Sequence, residues 1–304
     1  MKKLKGVISV IITPFTEDGS NIDFDDLRRL VDALVEEGVD GLALPGVASE
    51  FYKISDAERS RMIEVVADQA NGRVPVVVNI TRNSTELAIK DAREAKAAGA
   101  DAVMVVPPWF VPPSGAAVVE HVEAIAQSVD LPIVIQYAPN VTGAPITTDT
   151  FLDLADRLAR DVYIKAESVP PGPLVSTIVE RTSGRMGVFI GNGGAQMFDA
   201  LERGAAGVMP GSAIVRPFVE IYRSYTDGDK EKAFRLFNHL LPILNVTTQS
   251  AEMYVACEKK MLKARGIFKS DRCRRPCHAV GPEVDRLLER YDRYMREHFG
   301  YGWR

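Results

Sequence analysis

Short apolar runs alternate with longer amphipathic stretches along most of the chain. The runs cover residues 6–12, 41–44, 74–79, 102–106, 132–137, 162–166, 187–191 and 207–209. They are rich in Val and Ile and nearly free of polar alternation, as strands of a parallel sheet buried on both faces should be. Each is followed by helical spacing. Over residues 25–37, Leu27, Leu30, Val31 and Leu34 share one face. Ser55 stands three residues before Glu58, a capping-box start for the next helix, and Asn83 or Ser84 opens a third that ends before Gly99. Eight strands alternating with eight helices predict an α/β fold of the (β/α)8, or TIM-barrel, kind. A doubly wound open sheet is the competing architecture, but it calls for a Gly-rich turn after the first strand. Here that strand runs into Thr13-Pro14-Phe15. From about Asp227 onward the pattern is helical only, over residues 230–244, 250–264 and 282–297. The expected organisation is a catalytic barrel over residues 1–226, with a C-terminal helical extension over residues 227–304 packed on it and no Gly/Ser linker between them.

Composition narrows the classes. Of 304 residues, 46% are hydrophobic and 26% charged, which excludes a disordered, collagen-like or coiled-coil chain. Net charge is −4, from 37 basic and 41 acidic residues, so no basic bias points to nucleic acid. No apolar run approaches the roughly 18 residues of a membrane span. Met1-Lys2-Lys3-Leu4-Lys5-Gly6 carries the charge of a signal peptide, but the apolar run behind it is short and lacks a small-residue cleavage site. The expectation is a first strand in a cytoplasmic protein. Three cysteines exclude a disulfide framework. Cys273-Arg-Arg-Pro-Cys277-His278 looks like part of a metal site, yet only Cys257 remains as a further thiol, so no metal is expected. Arg272, Arg274 and Arg275 read as a solvated loop or a subunit contact.

In a TIM barrel the chemistry sits at the C-terminal ends of the strands. In the sixth run the period-2 rule places Val162 and Ile164 on one face, with Tyr163, Lys165 and Glu167 on the other, toward the lumen. A lysine there is either half of a structural ion pair with Glu167 or a nucleophilic amine, made available by desolvation, that attacks a ketone. The two readings reconcile if Glu167 is protonated or acts as a proton carrier once the imine has formed. Tyr137 ends the fifth run, and a phenol facing the same lumen would relay protons. The small residues of the second loop (Gly46, Val47, Ala48, Ser49) leave backbone N–H groups approachable by a carboxylate. Gly191-Asn192-Gly193-Gly194 and Gly211-Ser212 follow the seventh and eighth runs, where phosphate often binds in this fold.

The succession of Gly46-x-x-x-Glu50, Tyr137, Lys165 and the Gly-Asn-Gly loop at Gly191, followed by a helical C-terminus, resembles the dihydrodipicolinate synthase / N-acetylneuraminate lyase family of Schiff-base lyases. The opening Gly6-Val7-Ile8, with Thr13-Pro14-Phe15 and Asp18-Gly19, fits as well, and the likeness runs over nearly the whole chain. It implies a (β/α)8 barrel, commonly a homotetramer, with no metal or cofactor. It further implies an imine between Lys165 and a 2-keto acid, proton relay by Tyr137, and a carboxylate site at the backbone of Ala48 and Ser49. The chain departs from the family's synthase pattern at five positions. Val47 and Ala48 stand where hydroxyl residues are usual, Trp109 and Phe110 replace a pair of tyrosines, and Val141 falls near an expected Arg. Ser49-Glu50-Phe51 and Lys165-x-Glu167 resemble the branch containing L-2-keto-3-deoxyarabonate dehydratase.

The expected activity is therefore dehydration of a 2-keto-3-deoxy sugar acid through a Lys165 imine. Lys165, Glu167 and Tyr137 are the expected catalytic residues, and Gly46, Ala48, Ser49, Gly191 and Asn192 the expected substrate contacts. The expected partners are a small 2-keto acid and further copies of the chain, as a homodimer or homotetramer, with neither nucleic acid nor membrane. The alternatives are a pyruvate-dependent aldolase of the same family, a phosphosugar enzyme using the two Gly-rich loops with Arg216, and a keto-acid sensor that has lost turnover.

Overall fold

The computed structural model describes residues 3–158, 160–277 and 279–303. His278, one member of the cysteine-histidine fragment, lies outside them, as do Met1 and Lys2. Eight parallel strands close into a barrel in chain order. They are β1 (Gly6–Val10), β2 (Gly41–Leu44), β3 (Val76–Asn79), β4 (Ala102–Val105), β5 (Ile133–Tyr137), β6 (Val162–Ala166), β7 (Met186–Ile190) and β8 (Gly207–Val208). This is the (β/α)8 fold that the alternating pattern predicts.

Two apolar cores follow from the strand period. Ile8, Val10, Ala43, Val77, Met104, Val134, Tyr163 and Phe189 fill the lumen. The alternate positions, among them Leu42, Val78, Val103, Ile135, Ile164 and Val188, meet the surrounding helices. Tyr163 seals the lumen floor. Its ring lies 5.8 Å from that of Phe189, and its hydroxyl accepts the Leu4 N–H at 3.0 Å. A side chain at Gly187 would meet the Tyr163 ring at 2.5 Å, so the register of β6 and β7 requires glycine there.

The helix starts follow their local signals. Ser55 caps the helix Asp56–Ala70 with a capping box to Glu58, and Ser84 caps Thr85–Ala97. The helices Lys230–Thr247, Ala251–Ala264 and Pro282–Phe299 complete the chain. Ala251–Ala264 is tied to the strand-end loops of the barrel. Glu258 accepts the N–H groups of Ser212 and Ala213, both at 2.7 Å, and Lys259 binds Glu50. Among the described residues, no helix is long and apolar enough to cross a membrane.

Candidate active site

A cavity of about 530 Å³ opens over the C-terminal ends of the strands. Lys165 reaches it from β6, only 4% exposed and in register with Gln136 of β5 and Phe189 of β7. Glu167, just past the strand end, also lines the cavity. Its Oε1 lies 3.4 Å from Lys165 Nζ. Gln136 Nε2 donates to its Oε2 at 2.6 Å, and the Asn192 N–H donates to its Oε1 at 3.3 Å. These donors fix the direction of the carboxylate. Gly191 makes the arrangement possible, because a Cβ there would stand 2.3 Å from Glu167. The result is an amine whose single ionic partner among the described residues lies at a loose distance, on a carboxylate held in place by other donors.

The structure brings together Lys165, Glu167, Ala48 and Asn192, all of which line the cavity. Gly191 packs beneath Glu167 and supports it. Gly46 sits behind the wall, with its N–H on Ser49 Oγ at 2.9 Å. Ser49 departs from the expectation of a substrate contact. It is fully buried, its hydroxyl donates to the Ile11 carbonyl, and its N–H is spent on the Gly46 carbonyl at 3.0 Å. The Thr13 hydroxyl in turn donates to the Ser49 carbonyl at 2.6 Å. Ser49 therefore shapes the loop, and Val47 and Ala48 form its cavity-facing part.

Tyr137 is the larger correction. It shares its parity with Ile133 and Ile135, which pack outward against the helices. Its ring meets Phe151 of the helix Thr148–Arg157 edge-on at 5.2 Å, and it lines a separate crevice under Pro107, Pro108 and Pro112. The lumen position beside Lys165 belongs to Gln136, which is absent from the residues expected at the site. Gln136 shares its parity with Val134, but β5 is largely apolar on both faces, so periodicity by itself does not choose between them.

The loop after β8 is spent on a partner within the protein. The Ser212 and Ala213 amides after β8 are already occupied by the Glu258 carboxylate, and Arg216 stacks on Tyr301 at 5.7 Å. Burial pushes the Glu258 carboxyl up to about 7, against the downward pull of those two amides. Its Oε1 is buried with no hydrogen-bond partner. Beside it, Tyr254 lines the cavity, and its hydroxyl accepts the Gly211 N–H at 2.7 Å. No group of three His, Cys, Asp or Glu side chains suited to a metal occurs among the described residues.

Comparison with known proteins agrees with the fold. The model of the dihydrodipicolinate synthetase family matches residues 3–290. A 4-hydroxy-tetrahydrodipicolinate synthase of Methanopyrus kandleri is 33% identical over 243 residues, covering 79% of this chain and 80% of the relative. One from Thermomicrobium roseum is 38% identical over 244 residues, covering 79% and 78%. Among solved structures, YagE of Escherichia coli K12, a member of the same family crystallised with pyruvate, superposes with a TM-score of 0.87. It is 26% identical, with 95% of this chain and 98% of that one covered.

Proposed function

The chain belongs to the dihydrodipicolinate synthetase family and is a lyase, and we propose that it dehydrates a 2-keto-3-deoxy sugar acid through an imine on Lys165, with L-2-keto-3-deoxyarabonate as the leading candidate. The single observation that carries this reading is Glu167, held by Gln136 and Asn192 at 3.4 Å from the lysine amine. In the proposed reaction the neutral amine adds to the C2 ketone, and loss of water leaves a protonated imine. The positive nitrogen acidifies C3. Glu167 removes a C3 proton to give the enamine and returns it to the C4 hydroxyl, so that the enamine electron pair expels that group as water. Loss of a C5 proton and protonation at C3 then shift the double bond to C4–C5 as an enol, which ketonises to the aldehyde, and hydrolysis of the imine releases the semialdehyde and the lysine. The substrate carboxylate is assigned to the loop backbone at Val47 and Ala48, where the missing hydroxyls leave an apolar floor.

Aldol cleavage to pyruvate and an aldehyde is the second reading, supported by the names of the curated relatives. It uses the same imine but requires a base at the C4 hydroxyl. Trapping separates imine chemistry from a structural pair. Incubation with pyruvate, borohydride reduction and peptide mapping should yield one adduct, on the Lys165 peptide. Product analysis with five- and six-carbon 2-keto-3-deoxy acids then gives a semialdehyde for dehydration or pyruvate for cleavage. An adduct without turnover on any acid would favour a sensor. Phe110 and Val111, 84% and 78% exposed beside the mouth, support self-association as a homodimer or homotetramer, which light scattering would measure.

A further inference from the structure

Beyond the imine-forming corner the cavity wall is uncharged. Lys165 and Glu167 are the charged side chains lining it among the described residues. The other side chains on offer include Gln196, from the segment after β7, and Thr248, Gln249 and Ser250, from the turn between two C-terminal helices. Their hydrogen-bonding capacity is mixed and partly unspent. Gln196 Oε1 is buried without a partner, an acceptor in need of a donor. The Thr248 hydroxyl donates to the Leu244 carbonyl at 2.7 Å and keeps its lone pairs free to accept. Ser250 Oγ accepts the Met253 N–H at 3.1 Å and keeps its proton to donate. Gln249 reaches the Asn245 carbonyl through its amide nitrogen at 3.4 Å and retains its carbonyl oxygen.

A wall of neutral donors and acceptors suits alcohol groups, which do both. A second carboxylate on the substrate would lose its hydration there without gaining a cation. We propose that Gln196 and residues 248–250 form the recognition wall for an uncharged, hydroxylated tail, so that the substrate is a 2-keto-3-deoxy monocarboxylic acid and not a diacid. This rests on the imine reading above and adds to it. The C-terminal extension, outside the barrel, shares in setting specificity through residues 248–250.

The test uses the full chain with Gln196→Met and Gln249→Met, and two readouts. Gln196 makes no side-chain cap bond to the helix it precedes, so its replacement leaves that helix start intact. Pyruvate has no tail, so its borohydride trapping on Lys165 should proceed at the unmodified rate in both variants. On a five-carbon monoacid each variant should lose about tenfold in kcat/KM, mainly through KM, and the unmodified protein should prefer the monoacid to a six-carbon diacid by about a hundredfold. Slower pyruvate trapping in the variants, parallel to their loss on the monoacid, would overturn the tail assignment by making these residues general supports of the site. Normal trapping with unchanged kcat/KM would overturn it as well, as would equal turnover of the diacid. Absence of a pyruvate adduct on the unmodified protein would instead remove the imine reading and the tail assignment with it.

Discussion

Two of the buried lysine–glutamate pairs, Lys259–Glu50 and Lys165–Glu167, do opposite things. Lys259 and Glu50 have side chains 0% and 1% exposed. The Lys259 amine also donates to the Arg272 carbonyl at 2.9 Å and lies 4.3 Å from the centre of the Phe15 ring. Lys165 and Glu167 are nearly as buried, at 5% and 14%, but their contact is looser and both open on the cavity. Burial pulls the Lys259 amine below the usual lysine range, against the upward pull of Glu50. A lowered lysine pKa is a common flag of a nucleophile, yet here it falls on a lysine that does not line the cavity. What separates the pairs is spare bonding capacity at a surface that substrate can reach. The closed pair is a strut. It fixes Glu50, which sits in the left-handed region at φ +56°, and so holds the loop of Val47 and Ala48 against the C-terminal helix.

Substitutions sharpen that contrast. The largest effect should come from Lys165→Met, which is expected to abolish the pyruvate adduct and lower turnover by on the order of 10⁵-fold. Circular dichroism and the unfolding midpoint should stay near those of the parent. Glu167→Gln should keep the adduct and lose about 10²–10⁴-fold in turnover, as single-turnover kinetics would measure. Lys259→Met removes one charge-assisted bond from the Glu50 carboxylate, which keeps the Lys53 amine and the Arg274 N–H, and should cost about 2 kcal/mol in urea unfolding, with the adduct on Lys165 still forming in the folded fraction. A Lys259→Met protein of parental stability would remove the distinction between strut and nucleophile.

The third buried carboxyl gives a pH test. The Glu258 pKa is raised from 4.5 to about 7 in the folded protein. Below about pH 4.5 it is protonated in both states, and its contribution to stability is fully present. As pH rises toward 7 the unfolded chain releases this proton first, so stability falls, by up to about 3 kcal/mol, and levels off above. Glu258→Gln keeps an acceptor for the two amides and removes this slope. Its stability relative to the parent should therefore increase between about pH 5 and about pH 8 in urea titrations. The smallest effect should come from Tyr137→Phe. A proton relay would cost about a hundredfold or more in kcat, whereas a ring packed on the outer face should cost less than about threefold.

Much of this site was legible in the residues. Lys165 and Glu167 were placed in the lumen because β6 carries Val162 and Ile164 at the alternate positions, and a charged residue in an otherwise apolar strand has one plausible face. The helix starts at Ser55 and Ser84 followed from local capping, which needs no tertiary partner. Tyr137 failed for the converse reason. In Ile133-Val134-Ile135-Gln136-Tyr137 the two faces are almost equally apolar, so nothing local chose between them. Ser49 failed because a hydroxyl in a tight loop is as able to satisfy its own backbone as a ligand, and here Ile11, distant in sequence, claimed it.

The sequence alone determined the alternation of buried strands and amphipathic helices, hence the closed barrel, and the lysine and carboxylate two residues apart on one strand face. Those features depend on periodicity and on contacts a few residues long. Tertiary structure decided the rest. It put Gln136 in the lumen in place of the phenol, filled the Ser212 and Ala213 amides with Glu258, made a strut of Lys259, and brought residues 248–250 to a cavity more than eighty positions from Lys165. Each depends on which distant group arrives first to satisfy a buried polar atom, and that is settled only when the chain has closed.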